Sequence, residues 1–227
     1  MLKIATSKKS KHVKIYLEEE FIGSIPEKLL PQELYLNSSM PDSSECNNEF
    51  YSSFNNQEHE AEFIDFLNEW VKDNAKKSLL DYVAKAERTS YDCKLFLKRK
   101  DIPKAIIEDV IEEFKKKNWI SDLRYCQFFT QDNIIFGKSP ADIKNKLFRK
   151  HIDITIIEQV INELYTTESR AEIISELAEK LLNKYLQTET NKKTLFEKIA
   201  VTMYRKGFTY EDFSDVLYKK IGSAFDE

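Results

Sequence analysis

The sequence predicts a mainly α-helical protein, in which three tandem three-helix repeats form an elongated, curved array behind a small N-terminal β-hairpin module. One observation is a capped helix ending in an Arg-Lys pair, which recurs at spacings of 50 and 56 residues as Arg99-Lys100, Arg149-Lys150 and Arg205-Lys206. Recurrence at such distances is typical of repeat proteins. The other is composition: only 4 Gly and 5 Pro occur in 227 residues, which favours helices over a strand-rich fold.

The N-terminal segment, residues 1–36, has a different period from the rest of the chain. Polar and apolar residues alternate over 11–17 and again over 21–25, on either side of a short acidic stretch. This period-2 alternation predicts a β-hairpin, which a third short strand over 3–6 can join. Residues 37–57, rich in Asn and Ser, are predicted to be a polar linker.

Helical periodicity begins near residue 58 and divides into three parts. We predict a first repeat over 58–118, a second over 119–166 and a third over 167–227. The first includes a long lead-in helix, which is either continuous or bent near Asp73-Asn74.

Capping signals mark the starts of the shorter helices. Thr89 with Asp92, and Ser139 with Asp142, fit the box in which a hydroxyl accepts from the N3 amide. Pro140 then takes the first helical position, where its missing N–H costs nothing. The helices that follow are predicted to begin at the remaining candidates, Pro103, Asp153 and Thr209.

No catalytic, cofactor or metal site is predicted. The three histidines lie in different predicted elements, and none has a second ligand at helical spacing. Gly137-Lys138-Ser139 is similar to the end of a phosphate-binding loop, but Asp132 stands where the first glycine belongs. The many carboxylates are spread over helix faces, and no nucleophile–base pair is indicated. The sequence therefore predicts no enzymatic activity.

Cysteine usage and hydropathy favour a cytoplasmic protein. Cys46, Cys93 and Cys126 are widely scattered, which fits a reducing compartment, and the last two stand at apolar-periodic positions predicted to be core. No apolar run is long enough for a membrane span. Four aromatic residues over 121–136 are also predicted to be mainly core: Tyr125, Phe128, Phe129 and Phe136.

The second repeat carries a resemblance to a known family. Trp119–Cys126, Gly137–Pro140 and Ile143–Ile152 follow in order the pattern of the RecX family of recombination regulators. That family usually has Gly where His151 stands. The resemblance implies binding rather than catalysis. Its members bind the RecA recombinase filament on single-stranded DNA, restrain ATP hydrolysis and strand exchange, and favour filament disassembly. It implies a monomer without cofactors.

The predicted contact residues are ten cations in and just after three helices: Lys94, Lys98, Arg99, Lys100, Lys144, Lys146, Arg149, Lys150, Arg205 and Lys206. One interpretation is that cations favour the negative end of the helix macrodipole. The functional interpretation, which is compatible with it, is a basic stripe that follows a phosphate backbone or an acidic groove. Replacing the four cations of the middle copy with alanine is then predicted to weaken filament inhibition.

Charge distribution leaves other functions open. The net charge is −4, yet residues 90–150 carry 14 Lys and Arg against 9 Asp and Glu. This indicates a localised basic face, or simply solvated lysine-rich helices. A DNA-binding regulator with a recognition helix is one alternative, although recognition helices read bases with their N-terminal residues and these cations lie toward C-termini. A generic helical scaffold for another protein is the second.

Overall fold

The structure is a computed structural model that describes residues 1–7, 10–38 and 48–226. Cys46 and the centre of the predicted linker lie outside the described residues. The chain divides into two compact units, Met1–Ser121 and Asp122–Glu227, and each is described by itself.

An antiparallel sheet with strand order β3-β2-β1-β4 opens the first unit. Its strands are β1 (Leu2–Ser7), β2 (Ser10–Leu17), β3 (Glu20–Pro26) and β4 (Asn48–Ser52). The predicted hairpin and its third strand are confirmed. The strand β4 was not predicted, because it lies in the polar segment assigned to the linker. It pairs along β1, placing Phe50 opposite Ile4, so backbone pairing rather than an apolar pattern defines it.

A long helix, α2 (Gln57–Val83), packs on this sheet after a 3-10 turn (Glu27–Leu29) and a short helix, α1 (Gln32–Leu36). The helix is continuous, since α2 runs unbroken for 27 residues. The first repeat is completed by α3 (Ser90–Lys98) and α4 (Lys104–Lys116). Apolar side chains of the sheet and of all three helices form one buried core.

The second unit consists of two helix triplets. The first triplet is α5 (Asp122–Ile135), α6 (Pro140–Phe148) and α7 (Ile154–Leu164), and the second is α8 (Thr167–Tyr185), α9 (Lys192–Arg205) and α10 (Tyr210–Asp226). Each triplet has its own buried cluster, and Ile173 packs against both. The mainly α fold is confirmed. The elongated, curved array and the exact domain limits stay predictions.

The predicted helix starts agree with the structure. The Thr89 and Ser139 hydroxyls accept from the amides of Asp92 and Asp142 at 3.0 and 3.2 Å. Both hydroxyl residues are fully buried, so these hydrogen bonds satisfy groups that water does not reach. Asp153 caps α7 through a 2.8 Å bond from the Thr155 amide. The hydroxyl and the amide of Thr155 lower the pKa of Asp153.

The turn after the middle helix of each triplet contains a residue with positive φ. These are Asp101 (55°), His151 (56°) and Gly207 (88°), which stand at equivalent places in the three repeats. This left-handed conformation favours glycine, because other residues bring Cβ close to the following carbonyl oxygen. The geometry gives a physical reason for a glycine at the position of His151.

Replacing His151 with glycine is therefore expected to stabilise the protein by about 1 kcal/mol, which is the left-handed penalty less the entropy that glycine adds to the unfolded chain. Urea unfolding followed by circular dichroism measures the change. His151→Val is the matched contrast and is expected to destabilise, since β-branched residues are the least tolerant of positive φ. Equal stability of the two variants would contradict this account of the turn.

The prediction of core positions holds for two cysteines and fails for two of the aromatic residues. Cys93 and Cys126 are fully buried, as predicted, and burial raises the pKa of Cys126 to about 11. The prediction for Phe128 and Phe136 was wrong, because they are 52% and 75% exposed. The apolar residues of α5 are distributed around the helix instead of forming one stripe. Some of them therefore face solvent rather than the core.

Candidate functional site

The three Arg-Lys pairs lie at helix C-termini in the structure. Arg99 and Arg149 are the C-caps of α3 and α6, and Arg205 is the last residue of α9. All three arginines are exposed. Their positions agree with the macrodipole interpretation, and their exposure leaves the guanidinium groups accessible to a partner.

Four of the ten predicted contact residues already have interaction partners, and Lys150 is one of them. Lys144 Nζ lies 2.6 Å from Glu158 Oε1, Lys146 Nζ lies 2.9 Å from Asp142 Oδ2, and the Lys100 ammonium is 5.3 Å from the centre of the Phe96 ring. Lys150 is half-buried. In the described part of the chain, six of the predicted cations are exposed and have neither a carboxylate nor an aromatic ring as partner: Lys94, Lys98, Arg99, Arg149, Arg205 and Lys206. These six are the more available contact residues.

Two of those cations are brought together with a third that the sequence did not single out as a contact residue. Lys138, Arg205 and Lys206, which we call the basic cluster, line a cavity of about 310 Å³ in the second unit. Asp142 and Asn145 of α6 line the same cavity. Because Asp142 is paired with Lys146, the three cations dominate the charge of the cavity wall. Such a wall suits a phosphate or a carboxylate group.

Two features fix the backbone at Lys138: the conformation of the preceding glycine and a hydrogen bond to the Lys138 carbonyl. Gly137 ends α5 with a φ of 65°, and the Lys138 carbonyl accepts a 3.1 Å hydrogen bond from the Tyr165 hydroxyl. Burial raises the pKa of Tyr165 to about 12, so this hydroxyl remains a protonated donor at neutral pH. The turn between α5 and α6 is thereby fixed, with the lysine side chain on the cavity wall.

Lys206 is held from the other side by Ser139. The buried Ser139 hydroxyl donates to the Lys206 carbonyl at 2.6 Å while it accepts the Asp142 amide. A Cβ atom on Gly207 would lie 2.6 Å from Ser139 Oγ, so only glycine permits this approach. One serine therefore both begins α6 and fixes the turn after α9. The signal that could have indicated the cluster was the glycine at 207, which marks a close backbone contact.

The structure also bears on other site chemistry. Within residues 1–7, 10–38 and 48–226, no three His, Cys, Asp or Glu side chains are grouped so that they could share a metal ion. No helix in the described ranges combines the length and the apolar character needed to cross a bilayer. The lack of a metal, a cofactor and a catalytic group stays a prediction.

Proteins that are similar to this chain in sequence carry the same name. No protein-family model matches the chain. A protein of Streptococcus sanguinis named "Regulatory protein RecX" is 38% identical over 136 residues, which are 60% of this chain and 51% of that protein. Its namesake in Lactococcus lactis is 35% identical over 154 residues, or 67% of this chain and 56% of the relative. The chain thus spans about half the length of the curated relatives it matches.

The solved structures agree. The crystal structure of RecX from Lactobacillus salivarius is 27% identical to the chain, covers 69% of it and has a TM-score of 0.59. The chain is therefore similar to proteins named RecX, both in sequence and in fold. A second RecX crystal structure, 22% identical with a TM-score of 0.62, covers 95% of the chain and all of that protein. It supports the fold alone.

Proposed function

We propose that this chain regulates the RecA recombinase by binding the RecA filament on single-stranded DNA. It restrains ATP hydrolysis and strand exchange and favours filament disassembly. Similarity to proteins named RecX is the observation that carries the proposal. The chain acts as a cytoplasmic monomer, without a cofactor and without catalysis of its own.

The cations at the helix ends support binding to such a partner. A RecA filament on DNA presents phosphates and acidic protein side chains, which attract exposed guanidinium and ammonium groups. Arg99 and Arg149 stand at equivalent helix ends, and the basic cluster is held at the third. Repeated weak contacts of this kind add through avidity when one chain touches several protomers. We therefore propose that these cations contact the filament first.

Replacing Lys144, Lys146, Arg149 and Lys150 with alanine is still predicted to weaken filament inhibition. We expect the four residues to contribute unequally to that loss. Lys144 joins α6 to α7 through Glu158, and a surface pair of this kind contributes less than about 1 kcal/mol. Little thermal stability is therefore expected to be lost. Most of the loss of inhibition is expected from Arg149, whose side chain is exposed at the C-cap.

One experiment tests the proposal against the two alternatives. Single-stranded-DNA-dependent ATP hydrolysis by the cognate recombinase is measured with increasing amounts of the chain. Inhibition below one chain per recombinase protomer supports the proposal. Binding to duplex DNA without inhibition would replace it with a DNA-binding regulator. If neither is observed, the chain is a helical scaffold for a different protein.

A further inference from the structure

The first unit has a cavity of its own, where the sheet, α2 and the turn after α3 meet. Its volume is about 420 Å³, which lies within the usual range of small-molecule sites. Six of the residues that line it have charged, amide or aromatic side chains: His12, Lys14, Trp70, Asn74, Lys100 and Asp101. The wall thus combines two ammonium groups with two aromatic rings.

The charges of this cavity favour an anion. Lys14 Nζ forms a 2.9 Å ion pair with Asp101 Oδ2, which holds the lysine of β2 against the turn after α3. The Lys100 ammonium has the face of Phe96 beside it, which leaves its charge unneutralised. Two cations therefore face one carboxylate, and a phosphate between them would bring charge-assisted hydrogen bonds.

The aromatic groups favour a flat ring next to that anion. The centroids of His12 and Trp70 are 6.5 Å apart at an interplanar angle of 47°, so these two rings do not stack on each other. Trp70 is half-buried, which fixes its indole on the cavity wall. Asn74 donates its side-chain N–H to the Trp70 carbonyl at 2.8 Å, and its amide oxygen can accept from an amino group of a base.

We propose that this cavity binds a nucleotide, with the phosphate at Lys14 and Lys100 and the base against Trp70. Stacking of a base on an aromatic side chain contributes about 1–3 kcal/mol, and it tolerates all bases. The nucleotide is either free or one unit of a single strand, since both present the same phosphate and ring. This goes beyond the proposed function, which requires no nucleotide bound by this chain.

Tryptophan fluorescence tests the proposal without any recombinase, so its outcome is independent of the regulatory function. The chain has two tryptophans, and Trp119→Phe leaves Trp70 as the only reporter. Phenylalanine keeps an aromatic contact with Phe114, on which Trp119 packs edge-on. Adenosine monophosphate and a short single-stranded oligothymidylate are titrated separately. Saturable quenching by both is expected, and quenching by the oligonucleotide alone assigns the cavity to a strand.

Charge variants separate a site from general surface attraction. Lys100→Ala is expected to weaken binding about fivefold, whereas Lys28→Ala, which removes an exposed cation that does not line the cavity, leaves it unchanged. Asp101→Asn is expected to strengthen binding, because it removes the competing carboxylate and asparagine tolerates the positive φ.

Equilibrium dialysis of the same ligands against the unmodified chain gives a second readout that needs no fluorophore. Failure of both ligands to bind in dialysis would overturn the proposal. So would equal losses from Lys28→Ala and Lys100→Ala, because a diffuse basic surface would give that result.

Discussion

Gly207→Ala is expected to lower the free energy of unfolding by about 3 kcal/mol, the largest stability effect that we predict for a single added methyl group. Two costs combine. A φ of 88° places an alanine in a left-handed conformation at about 1–2 kcal/mol. The new Cβ would also lie 2.6 Å from Ser139 Oγ and 3.3 Å from Ala141 Cβ, so a buried contact must move apart.

Urea unfolding measures this effect, and Gly222→Ala is its matched control. Gly222 lies inside α10, and a Cβ there would have no atom within 4 Å. Alanine at this helical position is expected to stabilise by about 0.5–1 kcal/mol. Opposite signs for the same chemical change would assign the loss at Gly207 to its left-handed backbone and its contact with Ser139 together. A Gly207→Ala protein as stable as the parent would contradict the described turn.

Removing the basic cluster with Lys138→Ala, Arg205→Ala and Lys206→Ala is expected to weaken binding to the recombinase filament about tenfold. Each exposed cation contributes on the order of 0.5 kcal/mol to such a contact, and three of them approach a factor of ten in affinity. If the partners are phosphates, the dependence of binding on salt should also become shallower, because fewer counterions are released.

The control for this variant changes the net charge equally but removes cations that are already paired. Lys144, Lys146 and Lys180 each have a carboxylate partner in the second unit, namely Glu158, Asp142 and Glu176. Their triple alanine variant is expected to keep most of the affinity in a sedimentation or anisotropy assay. Equal losses from the two triple variants would mean that net charge, rather than the geometry of the cavity, attracts the filament. Thermal melts of both variants exclude unfolding as the cause.

Local signals explain what the sequence predicted well. A cap such as Ser139 and the turn after it depend on neighbours within a few residues, so their pattern is visible in the chain. The strand β4 lacks such a signal, because its partner β1 lies more than forty residues earlier in the sequence. Lys138 was missed for the same reason. Its companions Arg205 and Lys206 become neighbours only through folding.

Pairing of surface charges was also beyond the sequence. The same reasoning singled out Lys144 and Arg149, yet only the first has a carboxylate of the next helix within reach. Whether a long side chain meets a partner depends on the packing of two helices, which a pattern in one helix does not contain. The exposure of Phe136, which directly follows α5, has a similar origin. The neighbouring helices do not cover all the apolar side chains in and just after α5.

The hydrogen bond from Ser139 to the Lys206 carbonyl joins residues 67 positions apart, and it has a consequence for biosynthesis. A ribosome releases the N-terminal side of a chain first, at about 5–20 residues per second. The helix that Ser139 begins therefore leaves the ribosome several seconds before the carbonyl that accepts from this serine. During that interval the hydroxyl can accept from the Asp142 amide, but it lacks the Lys206 carbonyl as its acceptor. The second repeat consequently reaches its final form together with the third, once both have left the ribosome.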